Sequence, residues 1–387
     1  MPELKKPECE GKNELRPRTS AGFFSVSNIY RAGVKLYTAI PYRFARSGWA
    51  FPARHYFMEV TRRCNLRCVM CQYVNWLRDT PVSEQKQGEL TCEEWSRVID
   101  QVQRFSLITF TGGEPFTRDD FMDLLARASK RTRTHLISNA VLLTEERARE
   151  CVGLAPKRAG GAGFNFAGVS IEGPEETHDK LRGLRGGFER SMTGVRALAA
   201  YRDAAGKKCP MIHLTTVIQA GNVDVLRYMP EIAVKAGCNV MNLTLEARNW
   251  ELPGMGEVNP ATFDPDAMEF PRIDAKKLTQ ALEDTREAAR RVGIDLRTPD
   301  MPDSAIVDYY QGKMDLSAFR CGGAWTNLTI SAKGDAYPSC WLSRIGNVRE
   351  QSLREIWNGT RARAFRRATR KKLHPPCVGC CVLTRND

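Results

Sequence analysis

Two groups of cysteines carry the chemistry this sequence could do. Cys64, Cys68 and Cys71 stand in "CNLRCVMC", a C-x3-C-x2-C run directly after the apolar stretch "YFMEVT". Three thiolates on so short a loop are a soft donor set that suits a cubane iron–sulfur cluster, with one iron left open. A structural zinc site would want a fourth ligand, and no histidine lies in the loop; His55 precedes the strand. The second group is Cys321, Cys340, Cys377 and Cys380. There "NLTIS" and "DAYPSC" flank the turn "AKG", a hairpin that would bring Cys321 toward Cys340. The distant Cys377 and Cys380 could close the site, although Cys381 adjoins and could replace Cys380. Four thiolates fit a fully ligated 4Fe–4S cluster or a tetrahedral zinc.

These groups need elements to position them. Strand candidates at 56–61, 106–111, 134–139, 165–171, 212–218 and 239–245 alternate with amphipathic stretches at 91–105, 118–131, 144–155, 188–204 and 224–237. Six strand–helix units in a row imply an α/β fold with a parallel sheet, a partial (β/α)6 TIM-like barrel, whose chemistry sits on loops after strands. A Pro/Gly-rich loop from about 250 and a helix over 274–293 follow. The expected division is a basic N-terminal extension (1–54), the barrel (55–310) and a small C-terminal domain (311–387). That last part is turn-rich and too short for a large core, so a metal centre would be its staple.

"CNLRCVMC" with "FTGGEPF" and "VSIEGPEETHDKLRG" resembles the radical S-adenosylmethionine (SAM) enzymes, over roughly 55–381 and in the branch with a C-terminal SPASM or Twitch domain. The resemblance implies a 4Fe–4S cluster on Cys64, Cys68 and Cys71, with the fourth iron left for SAM. It places Gly112, Gly113 and Glu114 at the turn that receives the methionine amino group, and Ser138 and Asn139 at a ribose-contacting position. Ser170 and Glu172 end the fourth strand, and Arg182 matches an arginine that pairs with the SAM carboxylate. Met70 stands where many members carry an aromatic residue near adenine. Cys321, Cys340, Cys377 and Cys380 would hold one auxiliary 4Fe–4S cluster; five residues separate Gly334 from Cys340 where the pattern usually has four. Reductive cleavage of SAM to a 5′-deoxyadenosyl radical is the implied activity, followed by substrate oxidation or cross-linking. Redox-neutral epimerisation or rearrangement is the alternative, with Cys209 or Cys238 as a hydrogen donor, and a non-catalytic iron–sulfur or zinc scaffold is the third reading. His178 and Asp179 would position the loop bearing Arg182, and Glu246, Glu251 or Asp300 could act as bases.

The net charge of +13 is uneven: residues 15–54 hold seven basic residues and no acid, and "RARAFRRATRKK" at 361–372 holds seven more. A flavodoxin or ferredoxin-type electron donor would suit such a surface. Dedicated nucleic-acid binding is not expected, since no helix-turn-helix, zinc-finger or RNP-like pattern is present. With neither a long apolar run nor a signal peptide core, the expected location is cytoplasmic, and "SVSNIYRAGVKLYTAIPYRFARSGWAF" offers either a peripheral membrane contact or a helix capping the barrel. A separate peptide-binding domain is not expected in so short an extension. The substrate stays open among a peptide, an amino sugar, a lipid and another natural-product intermediate, with specificity placed in the loops at 75–90 and 247–272.

Overall fold

The structure, a computed structural model, describes residues 26–247, 270–339 and 342–386. In chain order the larger elements are α1 (Val26–Phe44), β1 (His55–Thr61), α2 (Val74–Asp79), α3 (Cys92–Gln101), β2 (Leu107–Gly112), α4 (Phe121–Arg131), β3 (Arg133–Ser138), α5 (Glu145–Gly153), β4 (Gly163–Ser170), α6 (Glu175–Arg182), α7 (Gly187–Ala204), β5 (Met211–Ile218), α8 (Met229–Lys235) and β6 (Val240–Leu245). There follow α9 (Ala275–Val292), β7 (Asp295–Arg297), α10 (Asp303–Tyr310), β8 (Phe319–Cys321), β9 (Asn327–Ile330), β10 (Asp335–Tyr337), β11 (Gly346–Asn347), α11 (Leu353–Asn358), α12 (Thr360–Lys371) and β12 (Leu383–Arg385). The six expected strands appear within two residues of their predicted limits.

Strands β1 to β7 pair in sequence order, all parallel, as right-handed strand–helix crossovers require. The C-terminal segment joins the same sheet: β9 lies parallel beside β1, with His55 opposite Asn327, and β10 and β11 add antiparallel strands outside it. Local chemistry explains several boundaries. Thr91 and Glu94 form a reciprocal capping box that starts α3, and Asp274 caps α9, which Gly293 ends in the left-handed conformation. The helix expected over 224–237 is split. A 3-10 turn covers Val223–Tyr228 and α8 restarts at its first turn with Pro230, whose missing N–H suits only a helix beginning.

The basic run at 361–372 is largely structural. Arg366 in α12 is fully buried; its Nε donates to Ala324 O at 2.7 Å, its Nη1 to Gly48 O at 3.2 Å, and its guanidinium lies 4.1 Å from the centre of the Trp357 ring. Arg370 donates to Tyr42 O and Ala45 O, and Arg367 to Ser47 O. These carbonyls lie at and just past the C-terminal end of α1, where a helix leaves acceptors unpaired and favours cations.

Inside the barrel, alternation along the strands brings polar rings together. His55 Nε2 is 2.6 Å from Thr109 Oγ1, which is 3.0 Å from His135 Nδ1, and the His135 and His213 rings are 6.4 Å apart. Burial holds these imidazoles neutral, pushing His55 and His135 down to about 3 and His213 to about 4. Each folded value lies below the unfolded one, so the unfolded chain binds more protons in acid. Stability contributed by these groups is present above about pH 6.5 and is lost as pH falls toward 4. Chemical denaturation between pH 7 and pH 4.5 should show this loss, and a His135→Asn/His213→Asn variant should show a shallower one.

Candidate active site

The loop from β1 and the turn after β2 are built against each other. Gly113 N donates to Thr61 O and Glu114 N to Arg63 O, both at 2.8 Å. A Cβ on Gly112 would sit 2.1 Å from Thr61 O, and one on Gly113 would sit 2.2 Å from Arg63 O. Gly112 also holds a φ of +142°. Only glycine lets the two backbones meet this closely, and the contact sets where the loop bearing Cys64 begins.

All three thiols of that loop are free. Each has an N–H donor: Leu66 N lies 3.4 Å from Cys64 Sγ, Tyr73 N 3.4 Å from Cys71 Sγ, and Arg182 Nη1 3.7 Å from Cys68 Sγ. Burial pushes the Cys64 thiol up to about 12 and raises Cys68 and Cys71 as well, while Arg182 draws Cys68 the other way. Among the described residues no three Cys, His, Asp or Glu side chains gather round a point that a single metal ion could fill. Three soft donors on one loop, each with an N–H that favours the thiolate, fit an iron–sulfur cluster.

The ends of the next strands converge on this loop. The Glu114 carboxylate is fully buried and accepts from Phe116 N at 3.1 Å, Asn139 N at 2.8 Å and Ser138 Oγ at 2.9 Å. Burial raises its pKa to about 6 against those hydrogen bonds. Asn139 Nδ2 in turn reaches Asn65 Oδ1 at 2.9 Å and lies 3.9 Å from Cys64 Sγ. Glu172, fully buried, pairs with Arg182 and accepts from Val217 N at 2.8 Å. Arg182 thus bridges Glu172 and Cys68, and its Nε is buried without a partner. The end of α6 is fixed on the cysteine loop by Val69 N to Leu181 O at 3.0 Å, and Asp179 closes the turn after it by accepting from Gly186 N and Phe188 N. His178 Nδ1 accepts from Glu172 N at 3.2 Å. Ser170 ends β4 half-buried, and Met70 is half-buried on the loop.

Some expected candidates stay away from this region. Cys209 and Cys238 precede β5 and β6, at the strand ends opposite the cysteine loop. Asp300 is exposed, and Glu251 lies outside the described residues. Glu246, by contrast, is buried just past β6 on the rim that carries the cysteine loop, near enough to Glu172 for its charge to help raise that carboxyl's pKa, with its backbone N–H bonded to Tyr310 Oη.

Two buried carboxylates that sequence reasoning passed over organise the surroundings. Glu59 of β1 accepts from Tyr73 Oη, from Arg62 Nε at 3.2 Å and from Ala332 N at 3.1 Å, so one side chain ties both ends of the cysteine loop to the turn between β9 and β10. Glu89 accepts from Thr61 Oγ1, Arg62 N and Arg63 Nη2, while its neighbour Leu90 N donates to Ala332 O at 2.7 Å. The available signal was a lone acid inside the apolar run "YFMEVT".

In the second thiol group, Cys321 and Cys377 are buried and Cys380 packs half-buried against the core, whereas Cys381 is exposed. Leu383 of β12 pairs with Cys321 of β8, and Gly379, with φ +74°, passes so close to Tyr309 that a Cβ would lie 2.4 Å from the ring. Cys340 lies outside the described residues; the preceding Ser339 is placed against Gly323, where a Cβ would meet its Oγ at 2.5 Å.

Residues 58–213 match the radical SAM superfamily, and residues 321–381 match SPASM, an iron–sulfur cluster-binding domain. The chain is 27% identical over 323 residues to an AdoMet-dependent heme synthase of Methanosarcina barkeri, covering 80% of this chain and 82% of the relative. It is 29% identical over 337 residues to a PqqA peptide cyclase of Granulibacter bethesdensis, covering 83% and 78%. Its fold matches the crystal structure of Streptococcus suis SuiB bound to precursor peptide SuiA with a TM-score of 0.60 at 14% identity, over 92% of this chain and 76% of that one. The chain therefore belongs to the radical SAM superfamily. Within it, this is an enzyme of the branch with a C-terminal SPASM domain, and its cofactors are SAM and 4Fe–4S clusters.

Gly113→Ala should push the cysteine loop off the turn. The expected result is a loss of at least half the iron retained after reconstitution, on the order of the four irons of one cluster, measured by colorimetric iron assay against wild type.

Proposed function

We propose that this enzyme removes a hydrogen atom from a C–H bond of its substrate and oxidises or cross-links that substrate. The observation that carries the reading is the close docking of the three-thiol loop on the Gly112–Gly113 turn, beside a second, separate thiol group in the same chain. When bound, SAM and the cluster on Cys64, Cys68 and Cys71 supply a 5′-deoxyadenosyl radical, and a cluster on Cys321, Cys340, Cys377 and Cys380 supplies a second one-electron centre.

The chain's own residues bind and orient. Gly112 and Gly113 let the turn pack directly against the Thr61 and Arg63 carbonyls, which fixes in place the turn that receives the methionine amino group. The Glu114 carboxylate is spent on Ser138 and Asn139, so it acts by holding the ribose-side residues at the end of β3. Arg182, held by Glu172, keeps its Nε–H for a carboxylate. Ser170 stands at the adjoining strand end and Met70 offers an apolar, polarisable surface to adenine. Cys380 serves as the fourth auxiliary ligand in preference to Cys381, because it packs against the core that holds Cys321 and Cys377.

An oxidative outcome is favoured over epimerisation because neither Cys209 nor Cys238 reaches the strand ends where a donor would be needed. PqqA peptide cyclases from three organisms are among the relatives, so a peptide is the substrate class taken first. The half-buried wall of Thr215, Asn242 and Thr244 is uncharged, and Asn242 Nδ2 bonds Thr215 Oγ1 at 3.2 Å, which suits amide groups. An acidic flavodoxin or ferredoxin is the fitting electron donor for a chain of net charge +13.

The test is anaerobic reconstitution of wild type and of a Cys64→Ala/Cys68→Ala/Cys71→Ala variant. Wild type should hold about eight irons and the variant about four, with 5′-deoxyadenosine formed by dithionite reduction in wild type only. Zinc in place of iron, or no 5′-deoxyadenosine from reconstituted wild type, would overturn the assignment.

A further inference from the structure

The helix α1 carries an apolar stripe that the enzyme chemistry leaves unused. Leu36 is 61% exposed, Ile40 38% and Phe44 77%, at successive four-residue steps that place them on one helix face. The opposite side of the helix is what fixes it to the protein: Pro41 is buried, Tyr37 Oη donates to Pro52 O at 2.8 Å, and the Tyr42 ring lies 4.8 Å from that of Trp325. The apolar stripe therefore faces outward. Past the helix end Trp49 is 38% exposed, with its ring 5.1 Å from Phe51, which touches Tyr37 at 4.9 Å. An exposed apolar surface of this kind on a folded protein marks a contact.

The charge around the stripe identifies the partner. Lys35, Arg43 and Arg46 are exposed beside it, and no acid occurs anywhere in residues 15–54. An apolar face flanked by cations and free of anions is the pattern of a helix that lies in the plane of an anionic membrane surface, apolar side down. No helix among the described residues is long and apolar enough to cross a membrane. We propose that α1 docks this enzyme on an anionic phospholipid bilayer through Leu36, Ile40 and Phe44, with Lys35, Arg43 and Arg46 at the headgroups. This does not rest on the proposed reaction.

The test is flotation of the reconstituted holoenzyme with vesicles of phosphatidylcholine alone or mixed with phosphatidylglycerol. Wild type should float with the mixed vesicles and remain unbound with phosphatidylcholine. A Leu36→Ser/Ile40→Ser/Phe44→Ser variant and a Lys35→Glu/Arg43→Glu/Arg46→Glu variant should each bind about tenfold less, with iron content unchanged. Should the apolar triple variant lose iron, Phe44→Ser alone, at the exposed end of the helix, serves in its place and should still weaken binding measurably. Wild type that fails to float, or an apolar variant that floats like wild type, overturns the proposal. So does a wild-type dimer, seen by light scattering, that becomes monomeric on the same apolar substitutions, because the face would then belong to a second copy of the chain.

Discussion

The remaining geometry hangs on a close backbone approach between the end of β1 and the turn after β2. Two residues without side chains let Thr61 and Arg63 carbonyls meet the N–H groups of Gly113 and Glu114. That contact puts the thiol-bearing loop over the carboxyl ends of the parallel strands. From there Glu114 reaches across to β3 and Asn139 returns to Asn65, so three consecutive strand ends are laced to one loop. A parallel sheet offers its loops at one rim, and here the rim is cross-linked by its own side chains.

The same loop is also held from the far end of the sequence. Glu59 and Glu89 are buried acids whose partners come from the cysteine loop, and the turn around Ala332 bonds both Glu59 and Leu90. Burying a carboxylate is costly unless its oxygens are fully engaged, and removing one partner of such a pair typically costs about 3–5 kcal/mol. The auxiliary thiol region is thereby not an appendage: its hairpin extends the barrel sheet, and its turn helps fix the loop that carries Cys64, Cys68 and Cys71. The buried Arg366, serving carbonyls from both Gly48 and Ala324, plays the matching part on the opposite side.

Much of this was legible in the sequence because it depends on spacing. Cysteine intervals, a double glycine after a strand and a period of alternating strands and helices are local signals, and they led to the six parallel strands and to the loops that bear the thiols; the pairing of Glu172 with Arg182 emerges only from the structure. Other features are non-local. A lone glutamate in "YFMEVT" reveals nothing of the three partners that make it tolerable, since those come from residues 62, 73 and 332. The basic run at 361–372 reads as a charged surface, yet Arg366, Arg367 and Arg370 spend themselves on carbonyls near the end of a helix more than 300 positions earlier. Short elements such as α2 and β7 carry too few residues for any periodicity to appear.

The central claim is that the protein backbone prearranges the cysteine loop before any cluster arrives. Amide hydrogen exchange on the cluster-free chain tests it directly, by following Gly113, Glu114 and Ala332, whose N–H groups make the fixing bonds. The account predicts protection of these amides comparable to that of the central strand β2, with little further change on reconstitution. Exchange at unstructured-chain rates until iron and sulfide are added would contradict it, and would mean that the cluster builds the loop instead.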